Sequence, residues 1–223
     1  MLTTSAAARM IDISAVRTQN TLQDVEELVK YGKEYRFINL HVLPAWVSTL
    51  SELLKDDPDI LVGAPVGFPG GGHTKETKLC EARQLLEDGV QEMDIVMNLG
   101  KFRSRDYDYV ADELQSIIQF VDKRALTKVI VEINVLDDEE MLRACEMVMK
   151  CGADFVKTGT GWIPGGANLE RIRKIKEFCK NDIKVKAAGG IRTKEEFLAL
   201  RAMGVERMGI NTQSAIEIVK SLP

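Results

Sequence analysis

The 223-residue chain has little of what staples, anchors or divides a protein. Its four cysteines, Cys80, Cys145, Cys151 and Cys179, show no C-x-x-C spacing, and a chain of this size does not depend on disulfides. They read as reduced thiols, and nothing in their spacing points to a zinc site. No run approaches the ~18 apolar residues of a membrane span. The opening Met1-Leu2-Thr3-Thr4-Ser5-Ala6-Ala7-Ala8-Arg9 also lacks the apolar centre of a secretory signal. A cytoplasmic protein with no membrane partner is therefore expected. Positive charge is not in excess either: the formal net charge is −4. That argues against nucleic acid as the main partner, while phosphorylated metabolites stay within reach of local fields. No Ser/Pro-rich or low-complexity linker interrupts the sequence, so residues 1–223 are expected to form a single domain.

What the chain does contain is a repeating order. Hydrophobic residues make up 45% and charged residues 29%, enough apolar material for a sizeable core. Short apolar runs rich in β-branched residues occur at Phe37 to Val42, Ile60 to Ala64, Met93 to Met97, Lys128 to Ile133, Asp154 to Lys157, Ile183 to Ala188 and Arg207 to Ile210. A weaker run at Met10 to Ile13 supplies an eighth. Between them, three-to-four spacing of apolar residues predicts helices at Lys75 to Glu87, Tyr107 to Val121, Asp138 to Lys150, Leu169 to Lys180 and Thr193 to Met203. Strands alternating with helices imply parallel pairing. The order admits a doubly wound sheet or a closed barrel, and the count of eight favours an α/β TIM (β/α)8 barrel.

Two lysines fall where the chemistry of such a barrel is placed, at the C-terminal ends of strands. Lys157 ends the run Asp154-Phe155-Val156-Lys157 before the turn Thr158-Gly159-Thr160-Gly161, and Lys186 lies in Val185-Lys186-Ala187-Ala188-Gly189-Gly190. An ε-amine with an ordinary pKa of about 10.4 is protonated at neutral pH and cannot attack a carbonyl. Burial and a neighbouring cation lower that value, which is how a lysine becomes a Schiff-base nucleophile. Asp94, within Glu92-Met93-Asp94-Ile95-Val96, is an acid in an apolar strand and needs a partner there. Period-two alternation sets Asp94 with Val96 and Asn98, Phe155 with Lys157, and Lys184 with Lys186. If those faces point inward, the acid and both amines meet in one pocket. The competing readings are lysines whose stems pack while their heads reach water, and a structural Asp–Lys pair in the core.

Taken together, these motifs resemble the deoxyribose-phosphate aldolases, class I aldolases with a TIM-barrel fold. Their lysine motif, close to Val-Lys-Thr-Ser-Thr-Gly-Phe, is similar to Val156-Lys157-Thr158-Gly159-Thr160-Gly161-Trp162, and Val-Lys-Ala-Ala-Gly-Gly-Ile-Arg-Thr stands at Val185 to Thr193. The likeness extends through Val66-Gly67-Phe68-Pro69, Lys78, Glu81-Ala82, Glu92 to Val96 and Lys128 to Glu132. The resemblance implies a lyase of deoxyribonucleotide catabolism that reversibly cleaves 2-deoxy-D-ribose 5-phosphate to D-glyceraldehyde 3-phosphate and acetaldehyde. It implies Lys157 as the nucleophile, Lys186 as the lysine that lowers its pKa, and Asp94 as the acid of a proton relay, with no metal and no cofactor. Small aldehydes and sugar phosphates would be the partners, and the family allows for a homodimer. Substrate and phosphate contacts would come from Thr158, Gly159, Gly189, Gly190, Asn211 and Thr212.

This chain also departs from the pattern. His41-Val42-Leu43-Pro44 stands where the family reads close to Cys-Val-Asn-Pro, Asp12-Ile13-Ser14 where it reads Asp-His-Thr, and Asn211-Thr212 where Ser-Ser opens the last helix. Gly159 replaces a serine. His41 reads as a hydrogen-bonded core histidine ahead of a contact to the substrate tail, Asn211 as an N-cap, and Thr74 as a helix cap. His73 reads as a solvated loop residue, and Arg192 and Arg207 as surface residues. The changes leave an alternative client in view: a class I aldolase paralogue acting on another 3-hydroxyaldehyde or ketone.

Overall fold

Eight parallel strands, each hydrogen-bonded to the next in chain order and the last to the first, close into a barrel in the computed structural model, which describes residues 2–223. The strands are β1 (Ile11–Ala15), β2 (Asn39–Val42), β3 (Leu61–Val66), β4 (Glu92–Val96), β5 (Leu126–Ile130), β6 (Phe155–Lys157), β7 (Lys184–Ala188) and β8 (Arg207–Asn211). Successive side chains of a strand point to opposite faces. Ile13, Leu40, Met93, Val129, Val156, Val185 and Met208 are therefore on the outer face, where they are buried under the helices. Their β-branched or long apolar side chains explain why the runs form strands.

The inner face is different. Asp12, Asn39, His41, Glu92, Asp94, Lys128, Lys157, Lys186 and Arg207 are all buried, in place of the branched apolar layers that usually fill such a barrel. Buried charge at this density is tolerable only when the groups pair. Arg207 corrects its sequence reading as a surface residue: as the first residue of β8 it points inward, 6% exposed, and binds Asp12 and Glu92.

Helix ends match their sequence signals. Lys75–Glu87 starts at Thr74, whose hydroxyl accepts from the Thr77 N–H. Asp138–Cys151 starts with a capping box between Asp137 and Glu140, and Lys194–Ala202 with one between Thr193 and Glu196. The structure adds helices at Leu22–Tyr35, Val47–Leu53 and Thr212–Lys220. β5 ends at Ile130, three residues before the apolar run does, because Glu132 takes a left-handed φ of 51° and turns the chain. All four cysteines are free thiols, and among the described residues no helix is long and apolar enough to cross a membrane.

Candidate active site

The register of the barrel brings the sequence-predicted triad together. Lys157 on β6 is level with Lys186 on β7, and Asp94 on β4 is level with Lys128 on β5. Because the barrel is closed, Asp94 reaches both lysines across its interior. Its Oδ2 lies 2.6 Å from Lys157 Nζ and 2.8 Å from Lys186 Nζ, and His41 Nε2 is 3.1 Å from the same oxygen. Its Oδ1 is 3.2 Å from Lys128 Nζ.

The network continues toward the opposite end of the barrel. Lys186 Nζ is 2.5 Å from Asp12 Oδ2, Arg207 is 2.5 Å from Asp12 Oδ1 and 3.0 Å from Glu92 Oε1, and Lys128 Nζ is 2.6 Å from Glu92 Oε2. The carboxylates Asp12, Glu92 and Asp94 are balanced by the cations Lys128, Lys186 and Arg207. Lys157 is the cation left over. Once it loses its proton, the charges of this network balance, provided His41 is neutral.

The electrostatics of each group follow from this arrangement. Burial lowers the Lys157 pKa to about 8, with Asp94 pulling it up and Lys186 pushing it further down. Roughly one amine in ten is then neutral at pH 7. Burial would raise Asp94, but His41 and the lysines 128, 157 and 186 hold it well below the usual carboxylate range. Burial drives His41 down to about 4 against the attraction of Asp94, so its ring is neutral at pH 7 and the lysines are the cations that keep Asp94 ionised. Lys128 is raised despite burial, by Asp94, Glu92 and Asp12. The same residue type thus has opposite characters in neighbouring strands: Lys128 is a fixed cation, whereas Lys157 is an amine close to deprotonation.

Lys157 and Lys186 open into a pocket of ≈ 190 Å³ at the C-terminal end of the strands. Gly189, Gly190 and Asn211 line it, as the sequence reading expects of a substrate contact. Thr158, Gly159 and Thr212 do not. The Thr158 hydroxyl donates to the Ala188 carbonyl (3.0 Å) and accepts from the Ala188 N–H (2.9 Å), tying β6 to β7. Gly159 packs against the Glu132 carboxylate, where a Cβ would stand 2.8 Å from Oε1. Thr212 is the first residue of the last helix, and Asn211 caps that helix by accepting from the Ser214 N–H at 3.0 Å. Gly189 and Gly190 have φ of 98° and 82°, the left-handed turn that lets the backbone approach the pocket.

Sequence reasoning missed several groups. Glu132 accepts from the Thr160 N–H at 3.0 Å and from its hydroxyl at 2.5 Å, which fixes the loop after Lys157. Trp162 in that loop packs edge-on to Phe68, and Arg17 lies over its ring while donating to the Gly161 carbonyl at 3.1 Å. Arg192 stands at the exposed rim. The signals for Asp12, Glu92 and Lys128 were present as charges at alternate positions of apolar strands. The left-handed bend at Glu132 had none.

Comparison with known proteins points to one family. The family model described as DeoC/LacD family aldolase matches residues 10–209. A deoxyribose-phosphate aldolase of Klebsiella pneumoniae is 41% identical over 222 residues, covering 99% of this chain and 89% of its own. One from Sinorhizobium medicae is 43% identical, covering 96% of this chain and 86% of its own. Among solved structures, the tetrameric deoxyribose phosphate aldolase from Aeropyrum pernix superposes with a TM-score of 0.89 at 28% identity, covering 99% of this chain and 92% of its own.

Proposed function

From a chain that belongs to the DeoC/LacD family of aldolases, and is therefore a lyase, we propose the reversible cleavage of 2-deoxy-D-ribose 5-phosphate to D-glyceraldehyde 3-phosphate and acetaldehyde through a Schiff base on Lys157. The observation that carries this reading is the single carboxylate oxygen of Asp94 shared by Lys157 and Lys186 at 2.6 and 2.8 Å, beneath a pocket.

The steps follow from what each group can do. Neutral Lys157 Nζ attacks C1 of the open-chain sugar, and the carbinolamine loses water to give a protonated imine. The C3 hydroxyl then gives up its proton, the C2–C3 bond breaks, and its electron pair enters the imine to form an enamine. D-glyceraldehyde 3-phosphate leaves with C3 as its new carbonyl. A proton delivered to C2 restores an imine, and hydrolysis releases acetaldehyde and the free amine. Asp94, with Lys186 beside it, is the group positioned to move these protons, a role typically worth about 10²–10⁴-fold. Lys186 keeps Asp94 ionised between transfers and keeps Lys157 close to neutrality.

In the pocket wall, the Gly189-Gly190 turn offers backbone N–H groups to the phosphate, and Asn211, the N-cap of the Thr212–Lys220 helix, brings the positive end of that helix's dipole to the same wall. Arg192 at the rim adds positive charge. A second reading keeps the Schiff base and changes the client to another 3-hydroxyaldehyde or ketone. It is favoured by the Asn211 side chain, which is already committed to Ser214 through Nδ2 (3.0 Å) and Oδ1 (3.0 Å). A coupled assay of glyceraldehyde 3-phosphate release from 2-deoxyribose 5-phosphate, repeated with Lys157→Arg, tests the proposal. Release by the parent protein and none by the variant is expected, because a guanidinium stays charged and cannot attack.

A further inference from the structure

His41 touches the oxygen on which Lys157 and Lys186 converge, yet none of the steps above uses it. Its Nδ1 is hydrogen-bonded to the Asn39 side chain two residues back on the same face of β2, and its Nε2 is 3.1 Å from Asp94 Oδ2. The neighbouring strand makes room for the ring. Gly63 on β3 is level with His41, and a Cβ at Gly63 would stand 2.3 Å from both Cε1 and Nδ1. Any side chain there displaces the imidazole, so glycine at this point of β3 and histidine on β2 form one built unit.

The hydrogen-bond count decides which nitrogen carries the proton. With Asn39 Oδ1 facing Nδ1, both Asn39 Nδ2 and His41 Nε2 are buried without a partner. That arrangement puts the proton on Nδ1 and turns the bare Nε2 lone pair toward an anionic oxygen. A half-turn of the Asn39 amide exchanges its oxygen and nitrogen and displaces nothing else. Asn39 Nδ2–H then donates to Nδ1 and an Nε2–H faces Asp94 Oδ2 at 3.1 Å, so two buried donors gain partners and only the Asn39 oxygen gives one up.

We infer that His41, fixed by Asn39 as the neutral Nε2–H tautomer, is a positioning residue for the aldol reaction: it holds Asp94 Oδ2 between Lys157 and Lys186 through an uncharged hydrogen bond. The inference rests on the proposed Schiff-base chemistry. When Lys157 becomes an imine nitrogen, Asp94 loses an ammonium donor, and His41 and Lys186 remain to keep its orientation. A neutral donor leaves Asp94 basic enough to collect the next proton, where a further cation would suppress that uptake. The groups that face His41 are Asp94 from β4, Lys128 from β5, Lys157 from β6, Lys186 from β7 and Asp12 from β1. Burial and the lysines outweigh Asp94, so the ring stays neutral far below the pH at which Lys157 titrates.

Two measurements test this. The chain has two histidines, and His73 is exposed, so [15N]histidine labelling of a His73→Asn variant leaves one imidazole to observe. A neutral ring protonated at Nε2 between about pH 6 and about pH 8 is expected; an Nδ1-protonated ring or a cation overturns the inference. The second is the rate at which borohydride traps acetaldehyde on Lys157, followed against pH in His41→Leu and His41→Gln. Loss of one hydrogen bond to a charged group should slow imine formation in His41→Leu on the order of ten- to a hundred-fold. The acid limb should move to higher pH, with little change in the acetaldehyde concentration at half-saturation. His41→Gln, whose amide N–H can reach the same oxygen, should recover most of the rate. Equal rates and pH profiles in the parent protein and His41→Leu overturn the inference. If His41→Leu does not fold, Asn39→Leu, which frees the tautomer, takes its place with the same expectation. Absence of trapping in the parent protein would count against the Schiff base instead, and the NMR result would still decide the His41 hydrogen bond.

Discussion

Lys128 and Lys157 occupy adjacent strands, are both buried, and both face Asp94, yet their environments give them opposite tasks. Lys128 is held between Asp94 and Glu92, which raise its pKa. Lys157 is the cation in excess, with its pKa lowered to about 8. The same substitution should therefore act in opposite directions. Lys128→Met leaves two buried carboxylates short of a partner and should destabilise the fold by about 3–5 kcal/mol. Lys157→Met removes a charge that the barrel disfavours and should stabilise it, on the order of 1–3 kcal/mol, while abolishing cleavage. Denaturant titrations of both variants at pH 7 measure the two signs. Lys186→Leu removes a cation beside Lys157, so the Lys157 pKa should rise and the ascending limb of the pH–rate profile should shift to higher pH. A profile that stays in place with activity retained takes Lys186 out of the mechanism. Asp94→Asn keeps the shape but carries no proton. It should slow both imine formation and enamine protonation, and single-turnover kinetics separate these steps.

The elements deliver these residues through register and through a few side-chain ties. Thr158 makes two hydrogen bonds to Ala188 that fix the end of β6 against β7, and so fix Lys157 against Lys186. Thr158→Val, nearly isosteric, leaves the Ala188 N–H without its partner; a loss of about 1–3 kcal/mol and a raised KM are expected, read by thermal unfolding and steady-state kinetics. Much at this scale was legible in the sequence. Apolar runs at regular intervals located all eight strands, and alternation along β4, β6 and β7 set Asp94, Lys157 and Lys186 on faces that meet in one pocket if they point inward, as they do. The N-caps at Thr74 and Asn211 followed from side-chain chemistry that is local in sequence. What depended on closure of the barrel was not legible. Arg207 looks like a surface arginine until β8 meets β1 and sets it against Asp12, and the turn at Glu132 that anchors Thr160 lies inside an apolar run with no glycine to mark it.

At the scale of the whole molecule, one buried network holds both the ion pairs that bear on stability and the proposed nucleophile. Asp12 and Asp94 sit below ordinary carboxylate values because cations surround them despite burial, so their stabilisation is complete above about pH 4 and is lost as the pH falls through their folded values. For Lys157 the sign reverses: its folded pKa is below the unfolded value of about 10.4, the unfolded chain binds more protons between the two, and stability rises with pH across that interval. Thermal unfolding scanned against pH should show both slopes, and the alkaline one should vanish in Lys157→Met. Binding energy at the pocket rim is the other whole-molecule effect. If the Gly189-Gly190 turn and the last helix hold a phosphate, its removal from the sugar should cost orders of magnitude in kcat/KM, because remote contacts hold the reacting carbon at Lys157. Comparable, weak efficiencies for phosphorylated and unphosphorylated deoxyribose favour the altered-client reading.

The central claim is that Lys157 is an amine made nucleophilic by its place in a charge-balanced barrel. Incubation with acetaldehyde and borohydride, followed by peptide mass spectrometry, tests it most directly. One reduced two-carbon adduct per chain is expected, located on Lys157 and formed faster as the pH rises toward about 8. An adduct on Lys186 or Lys128, or none on a preparation that cleaves 2-deoxyribose 5-phosphate, would contradict it.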